Sequence, residues 1–201
     1  NEQVDMNVTS CGNEGDSVKD LLLKSGLFAF FHQRPYDVTA SPLDTPKAIF
    51  VSAFSKMPLA ADFSFVVRGN EQHFKKGISV LSKISKVYLG ISPQQINTPI
   101  LPNEAEVSVF DGPNPSGNVG VHINHIAPIN KGEVVWTVAP QIVVMIGKLM
   151  NEGVLDFTRR IAVGGSEVKN PQYYEVIAGA PIKDILKDKF VTQQNVRIIS
   201  G

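Results

Sequence analysis

The chain has little of what several protein classes require. Cys11 is its only cysteine, so it can form neither an internal disulfide nor a cluster of thiolate metal ligands. Its 19 Lys and Arg residues balance 19 Asp and Glu residues, which argues against a nucleic-acid binder, because such proteins need a basic surface. No apolar run approaches the roughly 20 residues that cross a bilayer, and no secretory signal opens the chain. We therefore expect a cytoplasmic globular protein without a direct membrane span.

The chain does have enough apolar residues to build a substantial core. Hydrophobic residues make up 43% of its 201 residues, which suits one large domain, or one domain with an appendage. Residues 1–16 are polar and contain glycine, so we predict a linker or mobile N-terminal segment there. Residues 17–201 are predicted to form a single α/β domain, with 195–201 as the candidate start of a further domain.

Segments of helical and strand character alternate along most of the chain. Continuous apolar runs predict buried central strands, and apolar residues at helical spacing predict helices between them. We expect the segment of residues 32–46 to be irregular, because it carries three prolines. The alternation implies a parallel or mostly parallel sheet with helices on both faces. The predicted strands are 47–54, 86–91, 106–110, 133–139, 158–164, 172–177 and 195–200, and the predicted helices are 17–31, 70–85, 119–126, 140–150 and 180–187.

Residues 106–129 are the centre of the predicted fold, and we predict that they form a buried strand, a Gly/Pro loop and a helix. The backbone N–H groups at such a helix start can hold an anion. Gly112, Gly117 and Gly120 have the spacing of neither a P-loop nor a dinucleotide-binding motif, so no nucleotide can be assigned from them. Asp111, at the carboxyl end of the strand, suits either catalysis or bracing of the loop, and we favour bracing.

No catalytic or metal-binding constellation emerges from the remaining residues. His122 and His125 share one face of the predicted helix, but no acid or cysteine lies beside them at ligand spacing, so packing or polar contacts are favoured over a metal. Ser116 and Ser166 lie outside the Gly-x-Ser-x-Gly motif of a nucleophile elbow. We therefore predict neither catalytic residues nor a metal.

One aromatic cluster has a basic residue beside it, and it comprises Phe28, Phe30, Phe31, Arg34 and Tyr36. Aromatic rings and a guanidinium can hold a flat ligand by stacking. The other interpretation is an amphipathic helix whose aromatic face belongs to the core, and the residues alone favour that one.

Several segments, taken together and in order, resemble the A subunit of the Na⁺-translocating NADH:quinone oxidoreductase (Na⁺-NQR). The resemblance covers nearly the whole chain and corresponds to the middle portion of a longer protein. Each segment alone is weak, and their common order makes the set specific. The segments are KSGLFAFFHQRPY (24–36), KAIFVSAFSKMPLAAD (47–62), VFDGPNPSGNVGVHINHIAPI (109–129), VVWTV (134–138), IGKLM (146–150) and VRIISG (196–201).

The resemblance implies a fold and a place in a complex. The fold would be a three-layer Rossmann-like domain, similar to the flavin-binding domain of the complex I flavoprotein subunit but without bound flavin. The protein would be peripheral, at the cytoplasmic face of the bacterial inner membrane. NADH, flavins and iron centres would belong to partner subunits, which pass electrons to ubiquinone and pump sodium. This domain would dock on other subunits, contribute to quinone binding and have no turnover alone.

Within that resemblance, the aromatic cluster becomes the predicted quinone site. We predict that Phe31, Arg34, Pro35 and Tyr36 bind the quinone, with its ring stacked on the aromatic side chains and Arg34 donating a hydrogen bond to a quinone carbonyl.

Two other functions stay open on the sequence. A flavin- or nucleotide-binding oxidoreductase domain would use the loop of Asp111, Gly112, Gly117 and Gly120, although residues 111–130 contain no Lys or Arg to neutralise a phosphate. A purely structural docking module would bind partner subunits and no small molecule.

Overall fold

The computed structural model describes residues 15–192 and 196–199, which form a six-stranded and a two-stranded sheet. The strands are β1 (His32–Arg34), β2 (Val38–Thr39), β3 (Ile49–Ser52), β4 (Val87–Ile91), β5 (Glu106–Val109), β6 (Val135–Thr137), β7 (Thr158–Val163) and β8 (Gln172–Ile177). The helices are α1 (Gly15–Lys24), α2 (Phe63–Val66), α3 (Glu71–Leu81), α4 (Val119–Ile126), α5 (Pro140–Glu152) and α6 (Ile182–Ile185).

The larger sheet has the strand order β2-β1-β6-β3-β4-β5. β3 lies parallel to β4 and β6, and β4 lies parallel to β5. β1 pairs antiparallel with β6, and β2 antiparallel with β1. The prediction of a mostly parallel sheet in an α/β fold is therefore confirmed. β3 and β4 are the buried central strands that the continuous hydrophobic runs predict.

The two faces of this sheet are covered very differently. α1, α2, α3 and α5 contribute to one large core together with inward side chains such as Ile49, Leu89 and Trp136. α3 and α5 cross closely: a Cβ built on Gly147 would lie 1.7 Å from the His73 carbonyl oxygen. On the other face lies α4, whose Ile123 packs in a smaller cluster with Phe50, Tyr88 and Val135.

The N-terminal third differs from the prediction in two places. α1 begins at Gly15 and ends at Lys24, because Gly26 takes a left-handed conformation (φ 75°) and a short 3₁₀ helix follows at Leu27–Phe30. The predicted irregular segment after it contains β1 and β2. Prolines do not prevent this hairpin, since Pro35 lies in its turn and takes no place in the hydrogen-bonded ladder.

The prediction that 106–110 is a buried strand is wrong. β5 lies at the edge of the sheet, where its neighbour on one side is β4, and Glu106 and Val109 are exposed. The β-branched and aromatic residues of this stretch indicate a strand, but they do not show how many neighbours it has.

The strands predicted at 158–164 and 172–177 form, but outside the main sheet. β7 and β8 pair antiparallel with each other. Arg160 attaches this hairpin to the α/β unit by donating to the carbonyl oxygen of Arg68 (2.6 Å), and the Tyr173 hydroxyl accepts the Asp62 N–H (2.9 Å).

Parts of two further predictions lie outside the described residues. The strand predicted at 195–200 is absent over 196–199, and its end residues are not described. Of the predicted N-terminal linker, residues 1–14 are not described, and Gly15 and Asp16 belong to α1. Within the described ranges, no helix has the length and apolar character that crossing a membrane requires.

Candidate functional site

A groove of about 310 Å³ lies on the thinly covered face of the sheet, between the β1–β2 hairpin and α4. It brings together residues from two candidate sites that lie far apart in the sequence. Arg34 and Pro35 come from the aromatic cluster, and Gly120 comes from the Gly/Pro stretch. The lining residues are Arg34, Pro35, Gly120, Ile123, Asn124, Pro128 and Ile129.

Strand register explains how Arg34 reaches this groove. β1 pairs with β6 so that Arg34 lies opposite Val135. Residues directly opposite each other in a sheet project to the same face. Val135 belongs to the same buried cluster as Ile123 of α4, and Arg34 lines the groove together with residues of that helix. The Arg34–Pro35 peptide bond is cis.

The guanidinium of Arg34 is held by its own hairpin. Its Nε lies 3.3 Å from Asp37 Oδ1, and His32 Nδ1 lies 3.2 Å from the same oxygen. The Arg34 side chain is 29% exposed, and its buried Nε makes no hydrogen bond of good geometry among the described residues. Asp37 has φ 54°, a left-handed conformation that Asp and Asn tolerate better than most residues. The groove thus has a partly exposed guanidinium beside apolar walls, with its Nε buried near Asp37.

The four residues of the predicted quinone site do not share one surface. Phe31 has no exposed area: its ring centroid lies 5.4 Å from that of Phe28 and 6.0 Å from that of Trp136, inside the large core. Tyr36 is 84% exposed at the tip of the hairpin. The core interpretation of Phe28 and Phe31 is therefore confirmed, and stacking on Phe31 would require its ring to leave the core.

The Gly/Pro loop satisfies its own backbone. Asp111 Oδ1 accepts the Gly112 N–H (2.8 Å), which is the bracing contact favoured from the sequence. The N–H groups of Ser116 and Asn118 donate to carbonyl oxygens inside the loop. At the start of α4, the N-cap Asn118 accepts the Gly120 N–H through Oδ1 (2.8 Å). The N–H groups that a bound phosphate would need are therefore largely in use.

His122 fastens this loop to the sheet. Its ring stacks on Phe110 (4.0 Å between centroids), with Phe54 at 5.7 Å. Nε2 donates to the Ser116 carbonyl oxygen (2.8 Å), while Nδ1 is buried without a partner among the described residues. A Cβ on Gly90 would lie 2.3 Å from Nδ1, so the glycine leaves the space for the ring. The sequence does not indicate this role, because Gly90 lies 32 positions before His122 in a different element.

Burial dominates the electrostatics of His122. Desolvation lowers its pKa from the ordinary value, against the hydrogen bond to Ser116, which raises it. His125 is exposed, and its Nδ1 lies 2.8 Å from the Val121 carbonyl oxygen, so the two histidines do not converge. Within the described residues, no three His, Cys, Asp or Glu side chains form a group that could hold a metal.

The fold places the chain among α/β proteins with a mostly parallel sheet, and the groove at α4 is its candidate small-molecule site. Comparison with known proteins then gives the family. A family model described as the NqrA second alpha/beta domain matches residues 13–155, and one described as the NQRA C-terminal domain matches residues 160–201. The chain belongs to the NqrA family, the A subunit of the Na⁺-translocating NADH-quinone reductase, and the resemblance seen in the sequence is confirmed.

Individual relatives carry that name. The Alcanivorax borkumensis protein is 33% identical over 188 residues, covering 92% of this chain and 42% of the relative. The Neisseria meningitidis protein is 34% identical over 189 residues, covering 93% of this chain and 42% of the relative. Both are named as the A subunit of Na(+)-translocating NADH-quinone reductase. The chain thus spans about two fifths of the length of these relatives.

Proposed function

We propose that this chain is a peripheral domain of an Na⁺-translocating NADH:ubiquinone reductase complex, at the cytoplasmic face of the bacterial inner membrane. It docks on partner subunits and contacts the quinone through the groove at α4. It binds no flavin of its own and does not catalyse the reaction alone. NADH, flavins and iron centres belong to the partners. Support comes from the names of the relatives, which are subunits of such a reductase.

The groove carries the quinone part of this proposal, because its chemistry suits an uncharged, flat ring. Ile123, Ile129 and Pro35 offer apolar walls, and Arg34 offers donors. The Arg34 side chain is 29% exposed, so the accessible part of its guanidinium can donate to a ligand carbonyl, and a hydrogen bond from a charged donor is stronger than one from a neutral donor. A quinone combines an apolar ring with carbonyl acceptors, which is the combination that such a groove selects.

Of the four residues predicted from the sequence, Arg34 and Pro35 contact the ring in this proposal. Tyr36 stands at the exposed rim, where it can cover the bound ligand. Phe31 supports β1 from the core side of the sheet, opposite the groove. In this proposal the quinone ring therefore packs against α4 and Pro35, and not against the whole aromatic cluster.

The flavin or nucleotide alternative is disfavoured by the loop itself. Gly120 N–H is already capped by Asn118, and residues 111–130 contain no Lys or Arg. We also propose that the domain is Rossmann-like and similar to the flavin-binding domain of the complex I flavoprotein subunit, but without bound flavin.

The test is an NMR titration of this chain with a water-soluble, short-chain ubiquinone analogue. We expect saturable shifts at Arg34, Pro35, Ile123 and Ile129. Arg34→Gln removes a charged donor, and such a hydrogen bond is worth about 1.5–3 kcal/mol, so the dissociation constant should rise by at least about tenfold.

Arg159→Gln is the matched control, because Arg159 is an exposed arginine on β7 outside the groove, and the affinity of this variant should equal that of the wild type. Unchanged affinity in a folded Arg34→Gln variant would eliminate the role of Arg34. Saturable shifts with FMN confined to 112–120 would favour the flavin alternative. No shifts with either compound would leave docking alone.

A further inference from the structure

The charged side chains around the groove are arranged in pairs. Arg34 lies beside Asp37, whose carboxylate is also within 3.2 Å of His32 Nδ1. Next to the lining residue Pro128, Lys47 donates to the Pro128 carbonyl oxygen (3.1 Å), and its Nζ lies 2.7 Å from Glu133 Oε2. Both of these cations therefore have a carboxylate neighbour, so the surroundings of the groove carry little net positive charge.

This pairing has a consequence for the kind of ligand that can bind. A neutral carbonyl needs a donor and is indifferent to net charge. An anion needs uncompensated positive charge, and a carboxylate 3.3 Å from Arg34 Nε cancels much of that attraction. The start of α4 adds few donors, because the N–H groups of Gly120, Val121 and His122 already donate to Asn118.

We propose that Asp37 determines the charge class of the ligand: it makes the groove accept uncharged carbonyl compounds and reject anions. The inference deepens the proposed function and rests on the same groove. Asp37 itself does not line the groove. It acts through Arg34 and is a positioning residue that sets specificity.

Asp37→Asn is the decisive variant. Asn is isosteric with Asp and tolerates the positive φ of this turn, so the hairpin keeps its shape while the negative charge disappears. The probes are the soluble ubiquinone head-group quinone and benzoate, a ring of similar size that carries a negative charge. Their affinities are measured by NMR on the same samples at one ionic strength.

We expect Asp37→Asn to strengthen benzoate binding by about three- to fivefold, the effect of a partly exposed ion pair, and to change quinone affinity less than about twofold. Asp37→Glu, which keeps the charge, should keep the wild-type ratio of the two affinities. Asp20→Asn is the charge-matched control, since Asp20 is exposed on α1 at the other face of the sheet. Damage to the hairpin would weaken the binding of both ligands, whereas loss of the Asp37 charge strengthens benzoate binding alone.

The double variant Arg34→Gln, Asp37→Asn should lose the benzoate gain, because that gain depends on Arg34. An unchanged ratio in folded Asp37→Asn overturns the inference. Should that variant not fold, Asp37→Gly serves instead, as glycine adopts a positive φ most easily. If the wild type binds no quinone, the proposed function fails, while a benzoate gain in Asp37→Asn would still support the role of Asp37.

Discussion

The two faces of the six-stranded sheet show how the same strands can serve stability on one side and a site on the other. One face is packed by α1, α2, α3 and α5, and its largest side chains, such as Trp136 and Phe74, are fully buried. The other face has α4 and a small cluster around Phe50. Where the cover is thin, Arg34 and the end of the hairpin stay accessible beside α4. The difference between the two faces shows that the groove forms where fewer helices pack on the sheet.

The largest expected effect concerns the crowded face. Gly147→Ala places a Cβ 1.7 Å from the His73 carbonyl oxygen, so α3 and α5 must move apart along their contact. Such overpacking should lower the free energy of unfolding by about 3 kcal/mol or more, measured by urea unfolding. Gly164→Ala is the control, since its nearest atom is a Leu59 methyl at 3.9 Å, and it should stay within about 0.5 kcal/mol. A near-native Gly147→Ala would show that the helices are not held in this contact.

A middle-sized effect tests the thin face. Gly90→Ala pushes a Cβ into His122 and should destabilise the protein by about 2 kcal/mol. In a His122→Ala background the clash is gone, and replacing a strand glycine by alanine should then stabilise by about 0.5–1 kcal/mol. The measurement is a double-mutant cycle by chemical unfolding. The same sign of the Gly90→Ala effect in both backgrounds would mean that the ring does not occupy this space.

The smallest effect is a pH dependence of the thin face. Burial lowers the pKa of His122 in the folded protein, so below about pH 6.5 the unfolded chain binds more protons than the folded one. Stability from this residue is therefore present above about pH 6.5 and lost as the pH falls, by at most about 1.4 kcal/mol per pH unit. His122→Ala should lack this loss and His125→Ala should keep it, in urea unfolding between about pH 5 and 8. Equal slopes in His122→Ala and the wild type would contradict it.

Features that depend on residues close in the sequence could be predicted, and features that depend on contacts between distant residues could not. The strands around Ile49 and Val87 and the helix at Glu71–Leu81 were predictable, because apolar periodicity is local. β1 was not, because a three-residue strand beside a proline carries too little pattern, and its pairing with β6 joins residues about a hundred positions apart. The residues alone favoured the core for the aromatic cluster that includes Phe31, although the family resemblance led us to predict Phe31 in the quinone site. The proximity of Arg34 to Gly120 was not predictable.

By itself, the sequence determined the family, the alternation of strands and helices, and the absence of a cysteine framework, because motif order, periodicity and composition are properties of the chain as written. Only the tertiary structure decided which predicted residues meet. Strand register places Arg34 beside α4, the missing side chain of Gly90 admits His122, and the turn at Asp37 pairs its carboxylate with Arg34. These contacts join residues that only folding brings together. Their free energy depends on distances between atoms, and those distances cannot be read from the order of residues in the chain.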